Sequence, residues 1–524
     1  MIFAFTAPEW LSTWLTPVWL LGIGALLGLL ILGALWLPLL LLPMGRRVPA
    51  IVREGPLFPI FIITALLAAF GILGTLFVVR NPDAMFASLA HLPASGEYAY
   101  QFQIDAGPPN VDELDVSEFE PQAVPISLNP KEIVALRFRS PDNVEVSAFP
   151  KLLTETQPSF EVFGGEPAQW ERQEEKGSPF PEEHLDSFYV WNKSTKPTTL
   201  QMTAVIAPVH YQVRTIPATA LVVVVIFLAY FLMQAKLPDF IMDALPPRVQ
   251  SALQPKISAI ALATAKSEMA QPLFLICMVL GCFFLTLFVV LPYNTFGEDI
   301  KMMKDSGLTL IMVLSIIVCL WAASNSISEE IEGRTALTVL SKPVSRWQFI
   351  LGKFAGISWV AVVMFLLLGL WFLIAVAYKP LYDARETANT DPNWQQCHLE
   401  MVQSAPGLAL GFFETLVLAA ISVAISTRLP MLANFIICVS IYALGHLTPM
   451  IVKSSIGSLE LVVFVARLFA TVLPVLEHFD IKPAIAGGVD VPFEYLGWSL
   501  LYCILYSTVA MLLAMTLFED RDLA

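Results

Sequence analysis

Nine long apolar runs constrain what this chain can fold into. Each has the length of a helix that crosses the hydrocarbon core of a bilayer, which takes about 20 apolar residues. The runs are Leu15–Leu42, Leu57–Val79, Ile216–Met233, Pro272–Leu291, Gly307–Ala323, Phe354–Tyr378, Pro406–Ser426, Met431–Val452 and Tyr495–Phe518. Because 56% of the residues are hydrophobic and only 14% are charged, an ordinary soluble protein is excluded. The sequence predicts a polytopic α-helical membrane protein with about nine transmembrane helices.

Basic residues between the runs predict the side of the membrane on which each loop lies. Lys and Arg follow the first, third, fifth, seventh and ninth runs, and loops rich in these residues stay cytoplasmic. This alternation predicts a multi-pass protein of the plasma (inner) membrane with its N-terminus outside and its C-terminus in the cytoplasm. Ser140 and Cys397 are then expected to be accessible from outside. A further apolar stretch, Ser458–Leu473, carries Glu460 and Arg467 and is interpreted as a re-entrant or surface helix.

Residues 80–215, between the second and third runs, have the pattern of a β-rich domain. Period-two alternation or a short apolar run marks six segments, namely Tyr98–Ile104, Val134–Phe138, Val144–Phe149, Phe160–Phe163, Phe188–Trp191 and Leu200–Ile206. Such short strands, with a turn at Ser140–Asn143, favour an inserted extracytoplasmic domain that resembles an antiparallel β-sandwich. Its 20 acidic and 10 basic residues are interpreted as a solvated acidic face rather than a partner site.

The charged segment from Ser328 to Lys353 separates the fifth and sixth runs on the predicted cytoplasmic side. Glutamates mark the exit of the fifth run into water, and Gly333 is a helix-stop signal. Pro343 forbids a continuous helix, because proline lacks the backbone N–H and clashes with the preceding turn. Ser345-x-x-Gln348 is a capping box, which predicts that a new helix starts at Ser345 and continues into the next span.

This segment resembles the signature of ABC-2 type transporter permeases, in which acidic residues and an E-G-T-like triplet precede L-x-K-P-V-S-R-x-x-x-x-x-G-K. The matching residues are Glu330, Glu332, Gly333, Thr335, Leu340, Lys342, Pro343, Val344, Ser345, Arg346, Gly352 and Lys353. The resemblance implies that the segment couples the membrane domain to an ATPase subunit. Glu329, Arg334 and the apolar pair Leu337 and Leu340 are included among the predicted coupling residues.

The resemblance also implies a domain plan, since it extends more loosely from Lys256 to the C-terminus. Residues 256–524 would form the permease core, with a connecting helix, the coupling segment 328–353 and six transmembrane helices. Residues 1–79 would hold two further helices, and 216–255 a third helix with a cytoplasmic linker.

The chain has no phosphate-binding motif G-x-x-x-x-G-K-[ST], so it is not expected to be an enzyme or to hydrolyse ATP. The resemblance implies that a separate ABC ATPase subunit binds ATP and Mg and energises this chain, with export the expected direction. Other expected partners are a second permease copy or a sibling permease and the lipid bilayer, with no nucleic acid, cofactor or metal bound by this chain. A second hypothesis is a mechanotransmission or sensory protein that uses the same ATPase and moves no substrate.

Glu414 lies near the middle of the seventh run, where an ionised carboxylate costs about 2.5–3.5 kcal/mol. Two interpretations stay open, a substrate contact or proton site on the pathway, and a protonated or hydrogen-bonded residue that holds helices together. An ion-gradient transporter would need several intramembrane carboxylates, whereas Glu414 stands nearly alone. Cys397, predicted in the loop after the sixth run, and its neighbour His398 lack the further ligands of a metal site.

Overall fold

The computed structural model describes residues 8–39, 48–107, 120–149, 159–172, 180, 185–234, 255–291, 293, 298–330, 344–453, 464 and 473–519. The chain divides into two compact units, Asn81–Arg214 and the remainder. The helices are α1 (Glu9–Leu39), α2 (Val48–Glu54), α3 (Phe58–Phe77), α4 (Pro82–His91), α5 (Thr215–Gln234), α6 (Pro255–Met269), α7 (Pro272–Val290), α8 (Asp299–Ala323), α9 (Arg346–Glu386), α10 (Trp394–Ser426), α11 (Met431–Lys453), α12 (Lys482–Ala486) and α13 (Phe493–Glu519). The strands are β1 (Gly96–Ile104), β2 (Gln122–Leu128), β3 (Ile133–Arg139), β4 (Val144–Ser147), β5 (Ser159–Val162), β6 (Ala168–Glu171), β7 (Leu185–Asn192) and β8 (Thr198–Ile206).

The unit Asn81–Arg214 contains two four-stranded antiparallel sheets. The strand order is β1-β8-β3-β6 in one sheet and β2-β7-β4-β5 in the other. Inward side chains of both sheets form one apolar core, in which the Phe188 ring packs edge-on against Phe138 at 5.7 Å and Phe180 at 6.3 Å. The predicted antiparallel β-sandwich is therefore confirmed.

Six predicted segments coincide with β1, β3, β4, β5, β7 and β8, whereas the sequence pattern misses β2 and β6. Both missed strands lie at a sheet edge. β2 contains Pro125, which has no N–H for a ladder hydrogen bond and is tolerated at an edge. β6 has only four residues, too few to show a clear alternation.

The second unit is a helical bundle. Eight of its described helices are long and apolar enough to cross a membrane, and α11, with 23 residues, coincides with the remaining predicted run. α9 has 41 residues and spans about 61 Å at 1.5 Å per residue, about twice the hydrocarbon thickness. Hydropathy therefore marked the apolar part of this helix and not its ends. We call the end of the bundle with the α8–α9 junction the signature end, and the end with the α9–α10 turn the far end.

In the bundle, α1 packs between α3 and α5. A Cβ on Gly22 would lie 2.6 Å from the Leu67 carbonyl oxygen of α3, and one on Gly24 would lie 2.7 Å from the Ile216 carbonyl oxygen of α5. Small residues therefore allow the backbones to approach closely. The fully buried Trp19 donates from Nε1 to Gly71 O and Thr75 Oγ1, both at 3.0 Å, which fixes α1 against α3.

α9 packs against α6, α7, α8 and α10 and forms the centre of the bundle. Two buried lysines hold these helices together toward the far end. Lys304 of α8 pairs with Glu400 of α10. Lys379 of α9 donates to Val289 O at 3.1 Å and pairs with Asp383 at 2.8 Å. Buried charges of this kind persist only when paired and hydrogen-bonded.

Two expectations about exposure are wrong. Cys397 is not in a loop, because α10 begins at Trp394, and its side chain is fully buried. The start is set by Asn393, whose N–H donates to Gln396 Oε1 at 3.2 Å in a capping box, a helix-start signal that did not enter the sequence prediction. Ser140 is also buried, with its hydroxyl 3.4 Å from Thr198 Oγ1. Apart from positions 464 and 473, the predicted surface helix 458–473 lies outside the described residues.

Candidate functional site

The structure describes the two flanks of the predicted coupling segment. Residues 331–343 lie outside the described range, and with them the predictions for Glu332, Gly333, Arg334, Thr335, Leu337, Leu340, Lys342 and Pro343. The backbone of Glu329 ends a π-helical turn, Ser324–Glu329, that continues α8. The side chains described are those of Glu330, Ser345, Arg346, Gly352 and Lys353.

The start of α9 agrees with the sequence prediction. Ser345 is its N-cap residue, and its N–H donates to Gln348 Oε1 at 3.1 Å. Next to it, Arg346 donates to the carbonyl oxygens of Phe518 and Glu519, the last residues of α13. Carbonyl groups at a helix C-terminus lack partners within the helix, so a guanidinium there satisfies them and complements the helix dipole. The signature arginine thus attaches the start of α9 to the end of α13.

The glycine and lysine that close the signature motif make contacts inside the bundle. A Cβ on Gly352 would lie 2.7 Å from the Cβ of Ile260, so only glycine lets α9 approach α6 this closely. Lys353 is buried, and its Nζ lies 2.6 Å from Glu330 Oε1 and 5.4 Å from the centre of the Phe349 ring. The ion pair joins α9 to the chain just beyond α8, near the two ends of the coupling segment.

Glu414 lies in the middle of a second cluster of polar side chains. It is fully buried in α10, and neither carboxylate oxygen has a hydrogen-bond partner among the described residues. The Nε2 atom of His446, on α11, lies 3.5 Å from Glu414 Oε1. The Tyr442 ring packs against the imidazole with centroids 4.7 Å apart.

Two further charges lie near this carboxylate. Asp480 and Lys482 act on Glu414 electrostatically, and their own charged atoms are 3.6 Å apart. Lys482 also donates to Thr309 Oγ1 of α8 at 3.3 Å. The cluster thus lies where α8, α10 and α11 meet, around a carboxylate that is buried and only loosely paired.

Glu414 stands out in the sequence, but the residues that surround it do not. A histidine within the eighth apolar run was visible in the sequence, and no spacing rule pairs it with an acid on another helix. Asp480 and Lys482 lie outside the apolar runs and carry no motif. Cys397 and His398 lie at the start of α10, several turns before Glu414, and no group of three or more possible metal ligands was found among the described residues.

Eight described helices that are long and apolar enough to cross a bilayer, with α9 at their centre, define a multi-pass α-helical membrane protein. The family model described as ABC-2 family transporter protein matches residues 209–523, more than half of the chain. The chain belongs to this family of transporter-type membrane permeases. The match begins before α5, so it includes the third apolar helix, which the sequence resemblance from Lys256 did not cover. No curated protein gives a significant match to the chain.

Proposed function

We propose that this chain is the permease subunit of an ATP-driven exporter and that a separate ATPase subunit docks on the coupling segment Ser328–Lys353. Membership of the ABC-2 family supports a permease, and the signature residues support the docking position. ATP and Mg would be bound by that partner, because this sequence holds no phosphate-binding loop.

The observation that carries the proposal is how the flanks of the coupling segment attach to the bundle. Glu330 near the start of the segment and Lys353 at its end form an ion pair, and Arg346 donates to the carbonyl groups at the end of α13. A displacement applied to residues 331–343 would therefore act on α8, α9 and α13 together. Such rigid attachment is what a motor protein needs if its closure is to tilt transmembrane helices.

We further propose an orientation and a pathway. The basic loops support a cytoplasmic position for the signature end, and the β-unit would then be extracytoplasmic. Two copies, or this chain and a sibling permease, would form the pathway between them. The charged and polar groups around Glu414 support movement of a substrate more than purely mechanical transmission, because tightly apolar helices would serve transmission better.

The test is reconstitution with a candidate ATPase subunit. The isolated chain is expected to show no ATP hydrolysis, and hydrolysis should accompany the purified complex. Glu332→Lys should release the ATPase, because a like-charge contact in an interface can cost several kcal/mol. Glu386→Lys, an exposed acid at the far end, is the matched control and should leave the complex intact. Hydrolysis by the isolated chain, or normal assembly of the Glu332 variant, would refute the proposal.

A further inference from the structure

The chain that leads from α8 into the start of the coupling segment is wound as a π-helical turn, Ser324–Glu329, which we call the π-turn. π-Helical turns are rare, and they occur frequently at functional sites. A π-turn holds one residue more than the α-helical turn it replaces. Conversion to α-helical bonding would therefore displace the following chain by about 1.5 Å and rotate it by about 100°. An element with two such arrangements can pass on a movement in a discrete step.

Side chains of the π-turn connect it to several neighbouring elements. Ser324 accepts a hydrogen bond from Asn434 Nδ2 of α11 at 2.7 Å. Asn325 donates to Glu268 Oε1 of α6 at 3.2 Å. Ser328 donates to Leu429 O in the turn between α10 and α11 at 3.1 Å. With the Glu330–Lys353 ion pair, α6, α9, α11 and the α10–α11 turn are all joined to one short segment.

Asn434 is the centre of the buried part of this connection. Its Nδ2 atom also lies 2.8 Å from Ser422 Oγ and 2.9 Å from Ser426 Oγ, both on α10. Its Oδ1 accepts from Cys438 Sγ at 3.3 Å. The asparagine and its three serine partners are fully buried, so water cannot replace these bonds.

The geometry of this network permits more than one arrangement. An amide NH2 group carries two hydrogens, whereas three serine oxygens lie within hydrogen-bond distance of it. Bonds to Ser422 and Ser426 can therefore be kept while the bond to Ser324 is exchanged. Within the π-turn itself, the buried Ser326 hydroxyl has no partner among the described residues, and a change of winding would turn it toward new neighbours.

We propose that the π-turn is the joint that passes movement of the coupling segment to α10 and α11, and that Asn434 is its positioning residue. The inference rests on the proposed function, since it takes an ATPase on the coupling segment as the source of the movement. It adds a route from that segment to the helices that carry Glu414 and His446. Asn434 and Ser324 are not among the residues that the signature motif predicted.

The experiment is hydrogen–deuterium exchange of the full chain, alone and in complex with its ATPase, with and without ATP plus vanadate. In the wild-type complex, the nucleotide should change exchange both in residues 324–330 and in 426–434. Asn434→Ala should keep the change in the first segment and lose most of that in the second. In the isolated variant, amides of 426–434 should exchange about tenfold faster, as expected for a locally weakened region. Ser440→Ala, which removes an exposed hydroxyl from the same helix, should behave as wild type.

A second variant tests the same inference independently, in case Asn434→Ala fails to fold. Ser328→Ala removes the bond to Leu429 O and leaves the Asn434 network in place. It should weaken the nucleotide response of 426–434 while leaving the melting temperature unchanged, which a purely structural role would not do. If both variants transmit the response as wild type does, the inference is overturned and the proposed function stands. If no ATPase binds the wild-type chain, the proposed function itself has failed.

Discussion

At the scale of single residues, the environment of Glu414 supports the proposed role on the pathway more than a role in holding helices together. A carboxylate that held helices together would have hydrogen-bond partners, and Glu414 has none among the described residues except an imidazole 3.5 Å away. Glu400 on the same helix is the opposite case, because it pairs with the buried Lys304. We therefore expect the two acids to respond differently to the same substitution.

We predict that Glu414→Gln leaves the free energy of unfolding unchanged or raises it by about 1 kcal/mol, because a buried carboxylate is replaced by a neutral isostere. Glu400→Gln should lower it by about 3 kcal/mol, because Lys304 is left buried without its counter-charge. Thermal unfolding in detergent measures both. A larger loss for the Glu414 variant would assign that residue to helix packing instead of the pathway.

Glu330 is the second residue whose role changes once its partner is known. The signature motif predicts that Glu330 contacts the ATPase. In the structure, however, its Oε1 atom pairs with Lys353 inside the bundle. We predict that Glu330→Lys destabilises the chain by about 2–4 kcal/mol, because it places two cations together at a partly buried site. The charge swap Glu330→Lys with Lys353→Glu should recover part of the loss, as measured by thermal unfolding. No recovery would mean that the ion pair is not what stabilises the junction.

At the scale of elements, contact between helix backbones matters more than hydropathy. α1 and α3 cross where Gly22 and Gly71 meet, and a Cβ on Gly71 would lie 2.7 Å from the backbone carbon of Gly22. Nothing lies within 4 Å of the position that a Cβ on Gly33 of α1 would take. A side chain is therefore excluded at Gly71 of α3 and has room at Gly33 of α1, although both helices are strongly apolar.

We predict that Gly71→Leu lowers the free energy of unfolding by about 3 kcal/mol or prevents stable expression, because the added side chain forces α1 and α3 apart. The hydrogen bonds from Trp19 Nε1 to Gly71 O and Thr75 would be lost with it. Gly33→Leu should be tolerated. Expression level and melting temperature in detergent are the measurements, and equal behaviour of the two variants would contradict this account of the crossing.

At the scale of the whole molecule, the number of crossings fixes the orientation of both ends of every helix. Thr390 in the α9–α10 turn and Arg428 in the α10–α11 turn are exposed and lie at opposite ends of α10. We predict that an impermeant thiol reagent added to intact cells labels Thr390→Cys and not Arg428→Cys. In inside-out vesicles the pattern should reverse. Labelling of both from the same side would show that the count of nine crossings is wrong.

Much of the architecture was determined by the sequence alone. Hydropathy locates each transmembrane helix because the bilayer requires a long uninterrupted apolar run, which no other element supplies. Period-two alternation locates most strands of the sandwich for an equally local reason, and Ser345-x-x-Gln348 marks the start of α9. The match to the ABC-2 signature was likewise a property of consecutive residues.

Only the tertiary structure decided what the polar residues do. It places His446 beside Glu414, Glu330 on Lys353, and Asn434 among serines of two other helices. These partners are far apart in the chain, and apolar periodicity carries no information about which polar side chain of one helix meets which of another. Inside a membrane protein such pairs are selected by helix packing, because a buried polar group must find its partner where neighbouring helices bring one within reach.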